Sequence, residues 1–453
     1  MKKQDLIHDP IPELIKKIAI PSSTGLMFNT FYNVVDTYFA GQQLGTAALS
    51  GLTVAFPIYF IVSAIARGLG NGETALSSIS LGQKDKEKSH SYLLNSLLLC
   101  LIFGPLLAFC TPFVKPLLSM SGATGKSLQA GYDYLFVIFY SAIFFCLNAV
   151  LNGYLVSQGD TTSYRNFLIL GFFLNVILDP LFIIGFGPIP GMGVAGVAIS
   201  TGLIQAIGSL YLAHRVLKSP EFDWEMFKKS SLHVQEIKDL LQQGIPATLN
   251  TATTALGVFV INFFIIKMAP GPNTIAAYGV AMRVEQLALV PTMGLNSVAI
   301  SVSGQSYGAK NIARVEEVRN KTITYGCVFI VIGGMIIYPF TSFLIGLFTE
   351  DVAVIQAGTQ YLHIELFAFP TYIILSLLLS VLQGVKKPAI AVYISIYRQI
   401  IMPFIVFTLL GKLLGITGVY IGIVLVNWSA VLIAALYSKV IFTKLRKSEM
   451  LGQ

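Results

Sequence analysis

The stretch FYNVVDTYFAGQQLGTAALSGL (31–52) decides how this chain can fold. It places one carboxylate, Asp36, inside a long apolar run, and it then passes through a glycine-containing segment into a second apolar run. About 20 apolar residues suffice for a helix to cross the hydrocarbon core of a membrane, and a charge at the centre costs at least ~2.5 kcal/mol. The stretch therefore predicts two membrane-spanning helices and a carboxylate that has a function.

The rest of the chain has the same apolar character. Of its 453 residues, 55% are hydrophobic and only 11% are charged, which is far less charge than a soluble domain carries. The runs lack the period-two alternation of β-barrel strands. The sequence therefore predicts an all-α membrane protein with twelve transmembrane helices, near residues 14–40, 47–73, 92–119, 131–157, 164–187, 193–216, 238–268, 275–302, 321–348, 354–383, 388–412 and 415–441.

The cations of the chain concentrate on one side of this predicted topology. Of the 30 lysines and arginines, the exceptions on the opposite side or within spans are Lys115, Lys126, Lys267, Lys412, Arg67, Arg283 and Arg398. Cytoplasmic loops of membrane proteins carry an excess of Lys and Arg, so both termini are predicted to be cytoplasmic. The net charge of +8 is explained by topology, and no nucleic-acid partner is expected.

The two halves of the chain resemble each other. The tripeptide AIP (19–21) recurs as GIP (244–246), LGQKDKEKS (81–89) as YGAKNIARV (307–315), and GVAGVAIS (193–200) as GITGVYIG (415–422). These repeats predict two pseudo-symmetric six-helix bundles, residues 1–216 and 238–453, joined by a cytoplasmic linker, residues 217–237. Because six is an even number, the repeats are parallel. A cleft that opens to either side would follow, as transport requires.

Two carboxylates lie deep in predicted spans of the first half. Asp36 lies in span one and Asp179 in span five, and Asn175 shares a helical face with Asp179 because it is one turn away. With Tyr32 on the face of Asp36, these groups make an oxygen-rich site suited to Na⁺ or to a shared proton.

The second half keeps the helical frame without these carboxylates. Ile261 and Met402 occupy the positions that correspond to Asp36 and Asp179. This asymmetry favours a functional role, and the alternative is a polar cluster that ties spans one and five together.

Other embedded charges suggest a polar network in the second half. Its members would be Arg283, Glu285, Glu365 and Arg398, and Arg398 is expected to pair with Glu285 or Glu365. A structural ion-pair network is favoured over a substrate role.

Two further acids are expected near the cytoplasmic ends of spans. Glu73 is expected at the membrane interface, and Asp160 is expected to cap the helix that follows it. The chain lacks a Walker lysine loop and an HExxH motif, so it is not expected to be an enzyme.

Span count, parallel halves and the motif at 31–52 together resemble the multidrug and toxic compound extrusion (MATE) family. The NxxxDP pattern at 175–180 and the QGDT loop (158–161) strengthen the resemblance, which covers nearly the whole chain. The AxRxE pattern at 281–285 looks closest to the DinF-like prokaryotic branch.

The resemblance implies a multi-pass antiporter in a prokaryotic cytoplasmic (inner) membrane. Such a protein exports amphiphilic, often cationic drugs or toxins in exchange for H⁺ or Na⁺ by alternating access, without another cofactor. Its partners would be these small molecules and membrane lipids, and it would be a monomer. The matching ion-site positions of the amino-terminal lobe are Tyr32, Asp36, Tyr134, Asn152, Asn175, Asp179 and, less securely, Thr201.

Two other classes remain open at this point. A lipid-linked oligosaccharide flippase of the same superfamily would carry fourteen spans or a strongly cationic groove. An intramembrane enzyme or sensor would need a nucleophile–base or metal set.

Overall fold

The computed structural model describes residues 5–451, which are almost entirely helical. Its longer helices are Ile20–Gly82, Lys86–Phe109, Gly125–Ser157, Thr162–Ile184, Val194–Leu217, Val234–Met268, Pro272–Met293, Leu295–Gly308, Ile312–Gly346, Val352–Glu365, Phe369–Gly384, Ala389–Ile396, Met402–Leu414 and Ile416–Leu451. The short elements are Ile11–Leu14, Thr111–Phe113, Val114–Met120, Trp224–Lys229 and a two-strand hairpin, Gly185–Phe186 with Ile189–Pro190.

The apolar helices confirm a polytopic membrane protein. Within residues 5–451, ten helices are long and apolar enough to cross a membrane, or eleven when Val352–Glu365 and Phe369–Gly384, bent by 51°, count as one span. The first predicted span is helical as well, but its Ser, Thr, Asn and Asp residues lower its hydropathy. Gly45, with φ 78°, separates it from the helix that follows, in a conformation that glycine adopts without strain.

Some predicted boundaries are wrong. The second span was expected over residues 47–73, but its helix continues to Gly82. The third span was expected over residues 92–119, but the helix runs from Lys86 to Phe109, and a 3₁₀ turn at Thr111–Phe113 follows. Asp85 caps the start of this helix by accepting a hydrogen bond from the backbone N–H of Lys88 at 2.9 Å, which extends the helix beyond the apolar run. The two ends of the chain lie outside the described residues, so their cytoplasmic placement stays a prediction.

The backbone repeats the symmetry that the sequence predicts. Lys84 and Lys310 both have positive φ, 60° and 56°. The residue after each of them, Asp85 or Asn311, caps the next helix through its side chain. A second pair of matching positions, the glycines that open the two GVAG-like motifs at 193 and 415, has φ 57° and 60°.

Two widened, π-helical turns precede prolines. One covers Ile15–Ala19 before Pro21, and the other covers Tyr397–Ile401 before Pro403. A proline lacks an N–H, and its ring clashes with the carbonyl four residues earlier. A wider turn relieves that clash, and such turns are frequent at functional sites.

The chain forms two compact units. One consists of Thr24–Thr248, and the other consists of Leu6–Ser23 with the chain from Leu249 onward. Each has its own apolar core. The first core includes Tyr92 and Tyr154, and a core of the second includes Ile18 and Phe369, all four almost fully buried.

Helices of the first unit approach each other closely at glycines. A Cβ atom on Gly153 would lie 2.4 Å from the carbonyl oxygen of Gly70, and one on Gly70 would lie 2.6 Å from that of Ala149. Small residues at such contacts are typical of membrane helix pairs, because apolar surface alone gives little drive for association in lipid.

Gly153→Ala is expected to lower the free energy of unfolding by ~1–3 kcal/mol, because the added methyl group meets backbone atoms. The matched control is Gly333→Ala, since a Cβ at Gly333 meets nothing within 4 Å. Thermal unfolding of both variants in detergent measures the effect. Equal melting temperatures would contradict the close packing.

Candidate functional site

Asn175 joins the two predicted carboxylates. Its Nδ2 atom donates to Oδ1 of Asp36 at 2.7 Å and to Oδ1 of Asp179 at 2.9 Å. Asn175 and Asp179 are fully buried and Asp36 is half-buried. Both amide protons of one asparagine are thus used on carboxylates from two different helices, as the i, i+4 spacing of Asn175 and Asp179 allows.

A serine that sequence reasoning missed completes the contacts of Asp179. The hydroxyl of Ser200, which is fully buried on helix Val194–Leu217, donates to Oδ1 of Asp179. The sequence offered one signal, because Ser200 directly precedes Thr201, a predicted site residue. The contact spans 21 residues and two helices, so spacing alone does not reveal it.

Buried oxygen atoms at this cluster lack partners. Among the described residues, Oδ2 of Asp179 and Oδ1 of Asn175 make no hydrogen bond. A buried acceptor without a donor is costly, and these oxygens suit a proton or a small cation. No ion pair within 4 Å neutralises Asp36 or Asp179 in the described part of the chain.

Tyr32 and Thr201 line a cavity beside the carboxylates. The Tyr32 hydroxyl donates to Oγ1 of Thr201 at 3.0 Å, and Thr201 follows the serine that holds Asp179. The cavity has both polar and apolar walls, lined by Asn29, Tyr32, Asn33, Tyr59, Phe167, Leu168, Gly171, Thr201, Ile204 and Gln205. The free space between these walls has room for about one water molecule or a small ion.

Two other predicted residues lie apart from the hydrogen bonds of this cluster. Tyr134 is buried, and its ring packs against Tyr59, with centroids 6.3 Å apart. Asn152 is half-buried on the same helix. One turn earlier on that helix, Asn148 donates to Oε1 of Gln205 at 2.6 Å. Tyr59 and Gln205 were not predicted from the sequence.

The predicted polar network of the second unit exists in a different form. The Tyr361 hydroxyl donates to Glu285 at 3.3 Å, and the Tyr372 hydroxyl donates to Glu365 at 2.6 Å. The expected ion pairs of Arg398 with these glutamates are absent among the described residues.

Arg398 instead contacts an amide and an aromatic ring. It donates to Oδ1 of Asn427 at 2.9 Å, and its guanidinium lies 5.8 Å from the centroid of the Tyr372 ring. The remaining predicted member, Arg283, is exposed. The two glutamates are therefore hydrogen-bonded to tyrosine hydroxyls, whereas the prediction paired them with an arginine.

The two acids expected near the ends of spans differ in outcome. Asp160 caps helix Thr162–Ile184 as predicted, because its carboxylate accepts from the backbone N–H of Ser163 at 3.0 Å. Glu73 is completely buried inside the protein, and its placement at the depth of the membrane interface stays a prediction.

The chain belongs to the MatE family, whose model matches residues 21–181 and 246–408. It is therefore a transporter and not an enzyme, as predicted, and it is a multi-pass protein of a bacterial-type inner membrane.

The relatives span almost the whole chain. The chain is 27% identical over 432 residues to a protein named FAD transporter from Shewanella oneidensis, with 94% of each chain covered. It is 24% identical over 423 residues to the multidrug export protein MepA from Staphylococcus aureus strain N315, with 92% of each covered.

Solved structures share the fold. The outward-facing conformation of a multidrug resistance MATE family transporter of the MOP superfamily matches with a TM-score of 0.91 and 26% identity, over 99% of each chain. A MOP superfamily transporter from Pyrococcus furiosus matches with a TM-score of 0.90 and 26% identity, over 98% of this chain and 99% of that one. The fold is therefore two pseudo-symmetric six-helix halves.

Ser200→Ala is expected to make Asp179 bind a proton more readily. A hydrogen bond to a charged group contributes ~1.5–3 kcal/mol, so its loss shifts a titration midpoint by about one pH unit. The midpoint is expected to move to higher pH, because the Ser200 hydroxyl stabilises the ionised carboxylate in the wild type and the variant lacks it. Melting temperature measured as a function of pH reports the shift.

Ser209→Ala is the matched control, because Ser209 lies on the same helix but donates to backbone carbonyls, those of Phe144 and Gln205. An unchanged profile in Ser200→Ala, or an equal shift in Ser209→Ala, would contradict the assignment.

Proposed function

We propose that this protein is an H⁺- and/or Na⁺-coupled antiporter that exports amphiphilic, often cationic organic compounds by alternating access. The observation that carries this proposal is the double hydrogen bond of Asn175 to Asp36 and Asp179. Family membership supports the transport of small molecules, and the ion and the compound class are the proposed part.

The charge of the cluster supports ion coupling. Two carboxylates that face one amide cannot both stay ionised in a low-dielectric interior without a cation, because desolvation and mutual repulsion act in the same direction. A proton shared between Asp36 and Asp179, or a Na⁺ ion on their free oxygens, removes that cost. Ion binding therefore changes the interactions between the two helices that carry the carboxylates.

Hydrogen bonds that extend from the ion cluster support coupling to an organic compound. Tyr32 lies one turn before Asp36 on the same helix, and its hydroxyl bonds Thr201, which follows the serine that donates to Asp179. A compound that contacts Tyr32 or Thr201 and an ion at the carboxylates would share these side chains. Linkage then requires that each weakens the binding of the other when they favour different conformations.

Asp36→Asn is expected to abolish gradient-driven efflux while the protein still binds its compound. The amide keeps the shape of the side chain but removes the titratable group. Uptake of a cationic dye into everted vesicles, in which export from the cytoplasmic face runs inward, measures the effect under separately imposed proton and sodium gradients. Asp133→Asn is the control, because Asp133 lies away from the cluster on helix Gly125–Ser157, where it accepts a hydrogen bond from Gln129 one turn earlier. Full gradient-driven efflux by Asp36→Asn would refute the coupling role.

A second candidate cargo is a dinucleotide such as FAD. The relative of that name shares 27% identity, and the exposed Arg67 on helix Ala48–Gly82 offers a cation to an anionic pyrophosphate.

Export of FAD and of a cationic dye from cells that express the protein separates the two candidates. Arg67→Gln is expected to reduce FAD export several-fold and to leave dye export unchanged if a dinucleotide is the cargo. Dye export without FAD export would reject this second candidate.

A further inference from the structure

A second buried carboxylate of the first unit has no role in the site described above. Glu73 lies on helix Ala48–Gly82 and is completely buried. Its two oxygens accept hydrogen bonds from hydroxyls: Ser77 donates to Oε1 at 2.5 Å, and Ser96 donates to Oε2 at 2.6 Å. Two uncharged donors hold this acid inside the protein.

The groups that face Glu73 carry no positive charge. They come from its own helix, from helices Lys86–Phe109 and Gly125–Ser157 and from the start of helix Val234–Met268: Ser77, Tyr92, Ser96, Cys100, Tyr154 and Glu236. No lysine or arginine among the described residues lies within ion-pair distance of Glu73. An isolated buried carboxylate neutralises instead of staying charged, so Glu73 requires a ligand of positive charge.

That ligand is a proton, because the contacts leave little room for a metal ion. Each carboxylate oxygen already has a hydroxyl at hydrogen-bond distance. The nearby Tyr154 is fully buried with a hydroxyl that lacks a partner. Its helix lies against that of Glu73, since a Cβ on the adjacent Gly153 would be 3.1 Å from Oγ1 of Thr74.

Polar side chains that lie between Glu73 and the surface form two hydrogen-bonded groups, one around Glu73 and one around Glu236. Asn95, which adjoins Ser96, donates to Oε2 of Glu236 at 2.9 Å, and Ser91 donates to the same oxygen. Asn95 is fully buried, whereas Glu236 is half-buried. The polar groups thus continue from the buried acid to a carboxylate that water reaches.

The helix that carries Glu236 also covers the Glu73 region. A Cβ on Gly72 would lie 3.2 Å from the carbonyl oxygen of Leu240 and 3.5 Å from the backbone nitrogen of Gly244. The start of helix Val234–Met268 therefore both closes this region and provides its polar exit.

Glu73 and Asp36 each lie toward the carboxyl end of their own helix, and these two consecutive helices are predicted to cross the membrane in opposite directions. Asp36 precedes Gly45 by nine residues, and Glu73 precedes Gly82 by nine residues, at the far end of the following helix. At a rise of 1.5 Å per residue, each acid lies ~14 Å from its own end. The two carboxylates are thus separate sites at different depths of the membrane.

We propose that Glu73, held by Ser77 and Ser96, is an inner proton-binding site of the first unit and that Glu236 connects it with the side of the membrane that the cation distribution assigns to the cytoplasm. The role of Glu73 in transport rests on the proton coupling proposed above, whereas the binding of a proton to Glu73 does not depend on it.

Infrared difference spectra of the full-length protein between acidic and alkaline pH test proton binding directly. A carbonyl band of a protonated carboxylic acid is expected to titrate in the wild type and to be lost in Glu73→Gln. It should persist in Asp36→Asn and in Glu87→Gln, which changes an exposed glutamate at the start of helix Lys86–Phe109. A spectrum of Glu73→Gln identical to that of the wild type would overturn the proposal.

Ser96→Ala gives a second test that keeps the acid in place. Loss of this donor disfavours the ionised form, so the band is expected to persist to higher pH by about one unit. An unchanged titration would overturn the assignment of Ser96.

Transport measurements distinguish the role of Glu73 from the ion-coupled antiport proposed for the whole protein. With proton-driven efflux in the wild type, Glu73→Gln is expected to lose the dependence of efflux on cytoplasmic pH and to keep its dependence on external pH. An unchanged dependence on cytoplasmic pH would overturn the transport role of Glu73. Absence of proton-driven efflux in the wild type would instead refute the proton part of the proposed coupling, and the infrared result would stand.

Discussion

One asparagine holds together the part of the molecule on which its function depends. Asn175 donates one amide proton to Asp36 and the other to Asp179, so two acids on separate helices share a single neutral donor. The amide satisfies one oxygen of each carboxylate but compensates no charge. Because Asp179 and Asn175 keep free buried oxygens, this arrangement is complete only when a proton or a small cation is bound. The cluster therefore prefers a positively charged ligand, because its negative charge is not compensated by the protein.

The two units share a backbone plan but differ in how they treat buried acids. Both units have a lysine with positive φ, followed by a residue whose side chain caps the next helix, and both have a glycine with positive φ at the start of the GVAG-like motif. In the first unit an amide and serines contact the acids, and in the second unit tyrosines contact Glu285 and Glu365. A common scaffold with different polar groups fits a division of roles in which one unit carries the coupling cluster.

Much of the fold was predictable because it depends on local pattern. Apolar runs gave the helices, and short motifs such as those at 81–89 and 307–315 gave the repeat. The contact of Asn175 with Asp179 follows from their spacing. Ser200 and Tyr59 were missed because their contacts join distant helices, which one sequence does not reveal. The burial of Glu73 was missed for the same reason, because neighbouring helices and the start of helix Val234–Met268 cover it.

The most direct test of the coupling cluster is the affinity of the purified protein for a transported dye, measured at several pH values and Na⁺ concentrations. The account predicts that protons or Na⁺ weaken dye binding in the wild type and that Asp179→Asn removes this dependence while the dye still binds. The same ion dependence in Asp179→Asn as in the wild type would contradict the account.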